Sequence, residues 1–332
     1  MYQALKNVTP TQQVGLLFSI VFGLLLLAGL VIFLRSLREF EDADASARHS
    51  DEIDNLAQLL KTSSLLVLVF WVAWIAGDTS RLVLFGVGSF FALREFLTLS
   101  PTRHGDHHSL ILAFFVILPV QYWLVGAAQF NLFTVFIPVY VFLALPVASA
   151  LANDPLQFLE RNAKLQWGIM VCIYGMSHVP ALLLLKFPGY DSQNAFLMFF
   201  LVLVVQTCML VQHLVSRRLI ALGKPASLPR ISQSFTWRAW ASGMAAGSVL
   251  GALLTGITPF AAGQAFSMAF IACAAGSMGH LVMKAIKRDR GIPIWHGGDK
   301  SVTGAGGMLD RVDALCFAAP GFFYSVRWYF GL

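Results

Sequence analysis

Charge is scarce in this 332-residue chain. Only 12% of its residues are Asp, Glu, Lys or Arg, against 57% hydrophobic. A soluble globular protein carries about 25% charged residues, so an ordinary soluble domain is excluded. The long apolar runs name the class instead: an all-α, polytopic integral membrane protein. Acids are outnumbered by bases, 17 against 23, for a net charge of +6. In a membrane protein that excess marks cytoplasmic loops and contacts with anionic headgroups, so nucleic-acid binding is not implied. Cysteine is sparse as well. Cys172, Cys208, Cys273 and Cys316 all fall in apolar runs without Cys-x-x-Cys spacing, which argues for free core thiols and against a disulfide or zinc site. No cleavable signal peptide is expected, because the first apolar run is too long and no small-residue cleavage site ends it. Internal repeats and low-complexity stretches are lacking too. Without repeat symmetry or broken-helix pairs in matching positions, a transporter has little behind it.

The apolar runs lie at about 14–34, 63–77, 82–97, 109–128, 131–152, 165–185, 195–215, 237–259, 260–283 and 314–330. About 20 apolar residues cross a bilayer core, so roughly ten transmembrane helices are expected. The second and third are short, separated only by Asp78-Thr79-Ser80-Arg81, and read either as two spans or as a re-entrant pair. Loop charge tests the count. With ten spans, the loops at 35–62, 98–108, 153–164, 216–236 and 284–313 share one side. About seventeen Lys and Arg residues lie there, against Lys6, Arg81, Lys186 and Arg327 opposite. That is a firm positive-inside bias and places the 284–313 loop in the cytoplasm. Three parts follow: 1–62, an N-terminal span plus an acidic cytoplasmic connector; 63–215, the middle helices; and 216–332, a C-terminal membrane domain. The connector (Glu39, Glu41, Asp42, Asp44, Asp51, Glu52, Asp54) reads as a solvated, partly helical link or a partner-docking segment.

Residues 277–313, SMGHLVMKAIKRDRGIPIWHGGDKSVTGAGGMLDRVD, concentrate the polar chemistry. A span exits through Lys284, Lys287, Arg288 and Arg290, opens into a loop with Gly297, Gly298, Gly304, Gly306 and Gly307, and re-enters through Asp310-Arg311-Val312-Asp313. Asp310 and Asp313 are spaced i, i+3 at a helix start and share a face. Two readings stay open there: capping that suits the helix dipole, or a magnesium site completed by phosphate oxygens. The cations read as topology signals and headgroup contacts, or as a grip on a triphosphate. The glycine loop is not a Walker-type phosphate loop, because Asp299 stands where a glycine should precede Lys300-Ser301. The basic loop at 216–236 would complete a cationic mouth if it faces the 284–313 loop.

These residues carry a resemblance. The stretch 276–313 resembles the C-terminal signature of phosphatidate cytidylyltransferases, or CDP-diacylglycerol synthases: Ser-x-x-Gly-Asp, then Ser-x-x-Lys-Arg-x-x-Gly-x-Lys-Asp, then Gly-His-Gly-Gly-x-x-Asp-Arg-x-Asp. Gly279, Lys287, Arg288, Gly291, Gly304, Gly306, Gly307, Asp310, Arg311 and Asp313 fall on it. LPRISQSFTW at 228–237, the run at 205–217 and ALREFLTL at 92–99 are similar to upstream family segments, so the likeness extends from about residue 64 onward. Departures cluster on polar positions. His280 replaces the first Asp, Lys284 the second Ser, Pro293-Ile294 the Lys-Asp and Ala305 the His, while Ser277 lies one place late. Upstream, Met209 and His213 replace an Asp and a Tyr.

The resemblance implies a CDP-diacylglycerol-synthase-like fold and a reaction of CTP with phosphatidic acid to give CDP-diacylglycerol and pyrophosphate. On that reaction Mg2+ is expected at Asp310 and Asp313, with His280, which stands in place of the signature's Asp, as a further candidate ligand, and nucleotide phosphates are expected on Lys287 and Arg288. Arg311 would meet the lipid phosphate or the pyrophosphate, and Gly304, Gly306, Gly307 and Ser277 would shape the nucleotide site. It is compatible with a homodimer and with a bacterial inner membrane, the site facing the cytoplasm. The substituted acids support a competing expectation: an impaired homologue that binds an anionic lipid or a partner.

Overall fold

The computed structural model describes residues 10–36, 64, 67–68, 71–72, 74–98, 103–185, 194–291 and 307–331. Among these the architecture is all-α. No strand forms among them, and the β-type pairing is one isolated antiparallel bridge, Leu228 to Ser232. Nine of the ten apolar runs are helices: α1 Pro10–Ser36, α2 Asp78–Thr98, α3 His107–Gly126, α4 Phe130–Leu151, α5 from Phe158–Ile169 through Met176–Leu183, α6 Asn194–Ala221, α7 Trp237–Leu253, α8 Ala262–Asp289 and α9 Met308–Phe330. The tenth run, 63–77, is helical at its described residues up to Ile75. By length and composition, five described segments qualify as membrane crossings: α3, α4, α6, α7 with its following 3-10 turn, and α8. The protein is therefore a helical membrane protein.

Two boundaries differ from the sequence reading. Asp78-Thr79-Ser80-Arg81 is the first turn of α2, not a loop, and α2 has 21 residues, about 31 Å at 1.5 Å per residue. Likewise α8 continues through Lys284, Lys287 and Arg288 to Asp289. Charged residues ended both apolar runs but not the helices. Lys and Arg are good helix formers and favour a helix C-terminus, so a helix can run past the hydrocarbon into the headgroup layer. A third feature is invisible to apolar periodicity. Wide i→i+5 turns interrupt α3 at Ala113–Ile117, α4 at Phe136–Val141 and α5 at Met170–Gly175. Each lies within five residues of Pro119, Pro138 or Pro180, whose missing N–H breaks the regular ladder.

The chain divides into two units. The described residues up to Leu84 form the first; in it Phe18 and Phe22 of α1 meet Trp71, and Arg81 lies over the Trp74 ring at 4.1 Å. The described residues from Phe85 onward form the second, which holds most of α2 and all of α3 to α9. There α8 packs between α7 and α9, α7 lies on α6, and α5 lies on α9. The α7 seam is built from Gly243, Gly247 and Gly251, one turn apart. A Cβ on Gly243 would stand 2.6 Å from the Cys208 carbonyl oxygen, and one on Gly247 2.5 Å from Cys273 Sγ. Small residues at this spacing let membrane helices approach closely. All four cysteines are free and buried, as expected.

Elsewhere in this unit Phe200, Phe260 and Phe322 form one buried aromatic cluster. His178 is fully buried in a second, between Phe133 and Phe323, with Nε2 3.1 Å from the Tyr324 hydroxyl. At the connections on either side of α3–α4, Arg161 reaches Asp106 at 2.8 Å and Asp154 at 2.6 Å. Ser109, Ser149 and Asn162 continue this polar layer by hydrogen bonds.

Candidate active site

His280, Lys284 and Lys287 are spaced i, i+4, i+7 on α8 and so share one helix face. That face meets the first turns of α9. Lys287 pairs with Asp310 Oδ1, their side chains 12% and 23% exposed, and His280 Nδ1 lies 2.7 Å from Asp313 Oδ2. Asp313 is itself buried, and its Oδ1 accepts the Ala314 N–H at 2.6 Å. An imidazole that donates Nδ1–H to a carboxylate keeps the lone pair on Nε2, the form in which His ligates a metal. Asp310 Oδ2 is buried with no hydrogen-bond partner among the described residues. A buried carboxylate oxygen left so is costly and is the natural seat of a cation or a hydrogen-bond donor.

The remaining candidates separate. Arg288 is exposed on the last turn of α8, and Arg311 is half-buried on the first turn of α9. Arg290, just past the end of α8, lies 3.4 Å from Asp289. Ser277 points away from the acid–base cluster: its hydroxyl accepts the Trp240 indole N–H at 2.9 Å and donates to the Ala274 carbonyl. It ties α7 to α8 at a site that is 1% exposed. Gly307 is the residue before α9, in the left-handed region at φ 72°, where glycine pays no steric cost. Gly304 and Gly306, with the rest of the glycine loop, lie outside the described residues. Among the described residues, no three His, Cys, Asp or Glu side chains converge on one metal position.

Sequence reasoning gave no role to Glu95. It sits on α2, 1% exposed, and its Oε2 accepts the Leu309 N–H at 2.9 Å. The signal was available: an acid inside an apolar helix is costly and seldom idle. The basic connection after α6 folds back on itself instead of standing open. Ser216 donates to the Ser234 carbonyl, and Ser227 N–H to that of Phe235 at 2.7 Å.

What this arrangement can do is hold phosphates. Cations on α8 stand opposite carboxylates on α9, at the polar ends of apolar helices. Comparison with known proteins points the same way. The profile of the cytidylyltransferase family matches residues 57–329. An uncharacterized protein of Escherichia coli (strain K12), YnbB, is 32% identical over 251 residues, covering 74% of this chain and 79% of that protein. The chain therefore belongs to the cytidylyltransferase family, whose chemistry is nucleotidyl transfer.

Proposed function

We propose that the protein is a membrane-embedded phosphatidate cytidylyltransferase. A phosphate oxygen of phosphatidic acid attacks the α-phosphorus of CTP, the bond to the β-phosphate breaks, and CDP-diacylglycerol and pyrophosphate form. The observation that carries this reading is the face-to-face placement of Lys287 with Asp310 and His280 with Asp313. Phosphoryl and nucleotidyl transfer depend on charge neutralisation and in-line positioning more than on covalent catalysis. Lys287 and Arg288 hold the nucleotide phosphates, and Arg311 holds the lipid phosphate or the departing pyrophosphate. Gly304, Gly306 and Gly307 are assigned to the nucleotide, and Ser277 supports the site by tying α8 to α7 through Trp240.

The donors suit magnesium, which takes one or two carboxylates and fills its remaining positions with water and substrate phosphate. Asp310, with its unpartnered Oδ2, and Asp313 would hold it, with His280 beside them. Once bound, the ion supplies charge neutralisation across the phosphates. Lys287 pairs with Asp310; with CTP and the ion bound, Lys287 would serve the phosphates and Asp310 the ion. We place the site on the cytoplasmic face of a bacterial inner membrane, in a chain that acts as a homodimer.

A second reading is favoured by the substitutions. His280 and Lys284 stand where the signature has Asp and Ser, which suits an impaired homologue that binds anionic lipid or a partner. The two readings divide on Asp310→Asn. For the enzyme, this isosteric change lowers magnesium-dependent CDP-lipid formation by about 10²–10³-fold, as loss of a charge-stabilising group does, with thermal stability retained. Wild-type activity that survives Asp310→Asn undiminished would remove Asp310 from the site.

A further inference from the structure

The acidic turn of α9 begins without a cap of its own. Helices normally start on Ser, Thr, Asp or Asn, whose side chain accepts one of the orphan amides. Here the cap position is Gly307, which offers no side chain. The missing acceptor comes from elsewhere. Glu95 of α2, 214 residues away in sequence, accepts the Leu309 N–H at 2.9 Å. A carboxylate there suits both the amides and the positive end of the helix dipole. Lys287 is close enough to act on Glu95 electrostatically while it pairs with Asp310. One buried acid thus holds the backbone immediately before Asp310 and shares a cation with it.

We propose that Glu95 is a positioning residue for cytidylyl transfer: a cap supplied by α2 that fixes the first turn of α9, and with it Asp310, against Lys287. The proposal rests on the reaction assigned above. Glu95 touches no substrate in this account. It acts through the Leu309 amide, and misplacing reacting groups by about 1 Å costs about 10²-fold in rate.

The test compares full-length wild type with Glu95→Gln, which keeps the side-chain size and loses the charge. Hydrogen exchange is followed at the amides of 307–314, and CDP-lipid kinetics are measured in the same detergent. The expected result is exchange about tenfold faster at Leu309, where the local opening energy reports the cap. In parallel kcat falls about 10²-fold, with KM for CTP and the unfolding temperature little changed. Glu95→Asp, which keeps the charge on a shorter stem, falls between the two and serves if Glu95→Gln does not fold. Unchanged exchange, or faster exchange with undiminished kcat, overturns the proposal. A wild type that makes no CDP-lipid defeats the reaction assignment separately. The exchange data need no turnover and then decide alone whether Glu95 holds the turn.

Discussion

Arg161 is 6% exposed and carries a full charge, a placement tolerated only when the charge is paired and hydrogen-bonded. It meets Asp106 and Asp154, and its Nη1 also donates to the Leu156 carbonyl at 2.8 Å. Removing one partner of a buried pair strands the other, so Arg161→Met is expected to destabilise by about 3–5 kcal/mol, read as a lower unfolding temperature in detergent. The Asp154 carboxyl is held below its ordinary value, first by the Leu156 N–H and then by Arg161. A group lowered in the folded state adds stability above its unfolded value of about 3.9 and loses it as pH falls through the folded one. The part of the stability that depends on Asp154 therefore fades below about pH 4, and Arg161→Met narrows that acid dependence. An unchanged acid profile would show that the pair does not contribute.

At the scale of elements, the α7 seam sets how closely α6 and α8 approach. Gly247→Leu would drive a side chain into Cys273 Sγ and the Val204 carbonyl. Overpacking of this kind costs about 1–3 kcal/mol or more, so less protein should survive extraction as a monodisperse species and its unfolding temperature should drop. Wild-type behaviour would mean that the seam opens at little cost. Most helices were legible because an apolar run of spanning length has few alternatives in a bilayer. Their ends were less so. Lys284, Lys287 and Arg288 read as loop because they are charged, yet the helix that carries them continues to Asp289. That extension puts His280, Lys284 and Lys287 on one face. The site was legible as a set of residues through the motif at 276–313. Its pairing was not, since nothing in the sequence says that Lys287 meets Asp310 or that Ser277 turns to Trp240. Glu95 stood out as an acid inside an apolar helix, but its partner did not: that is a backbone amide 214 residues away.

At the scale of the whole molecule, about seventeen of the 23 Lys and Arg residues were assigned to one side from sequence. Of the residues so assigned, Lys287 and Arg288 lie in the last turn of α8 and Arg311 in the first turns of α9. The proposed reaction joins a water-soluble nucleotide to a lipid. The polyphosphate needs charge and water, and the acyl chains need hydrocarbon. With His280, Lys284 and Ala305 in place of signature residues, turnover is the central claim to test. The direct measurement reconstitutes the protein in vesicles containing phosphatidic acid, adds CTP and magnesium, and follows CDP-lipid and pyrophosphate together. The account predicts equimolar release of both, reduced about 10²-fold or more in Lys287→Met, as expected when a phosphate-binding cation is lost. A folded wild-type protein that yields neither product, or a Lys287→Met variant as fast as wild type, would contradict it.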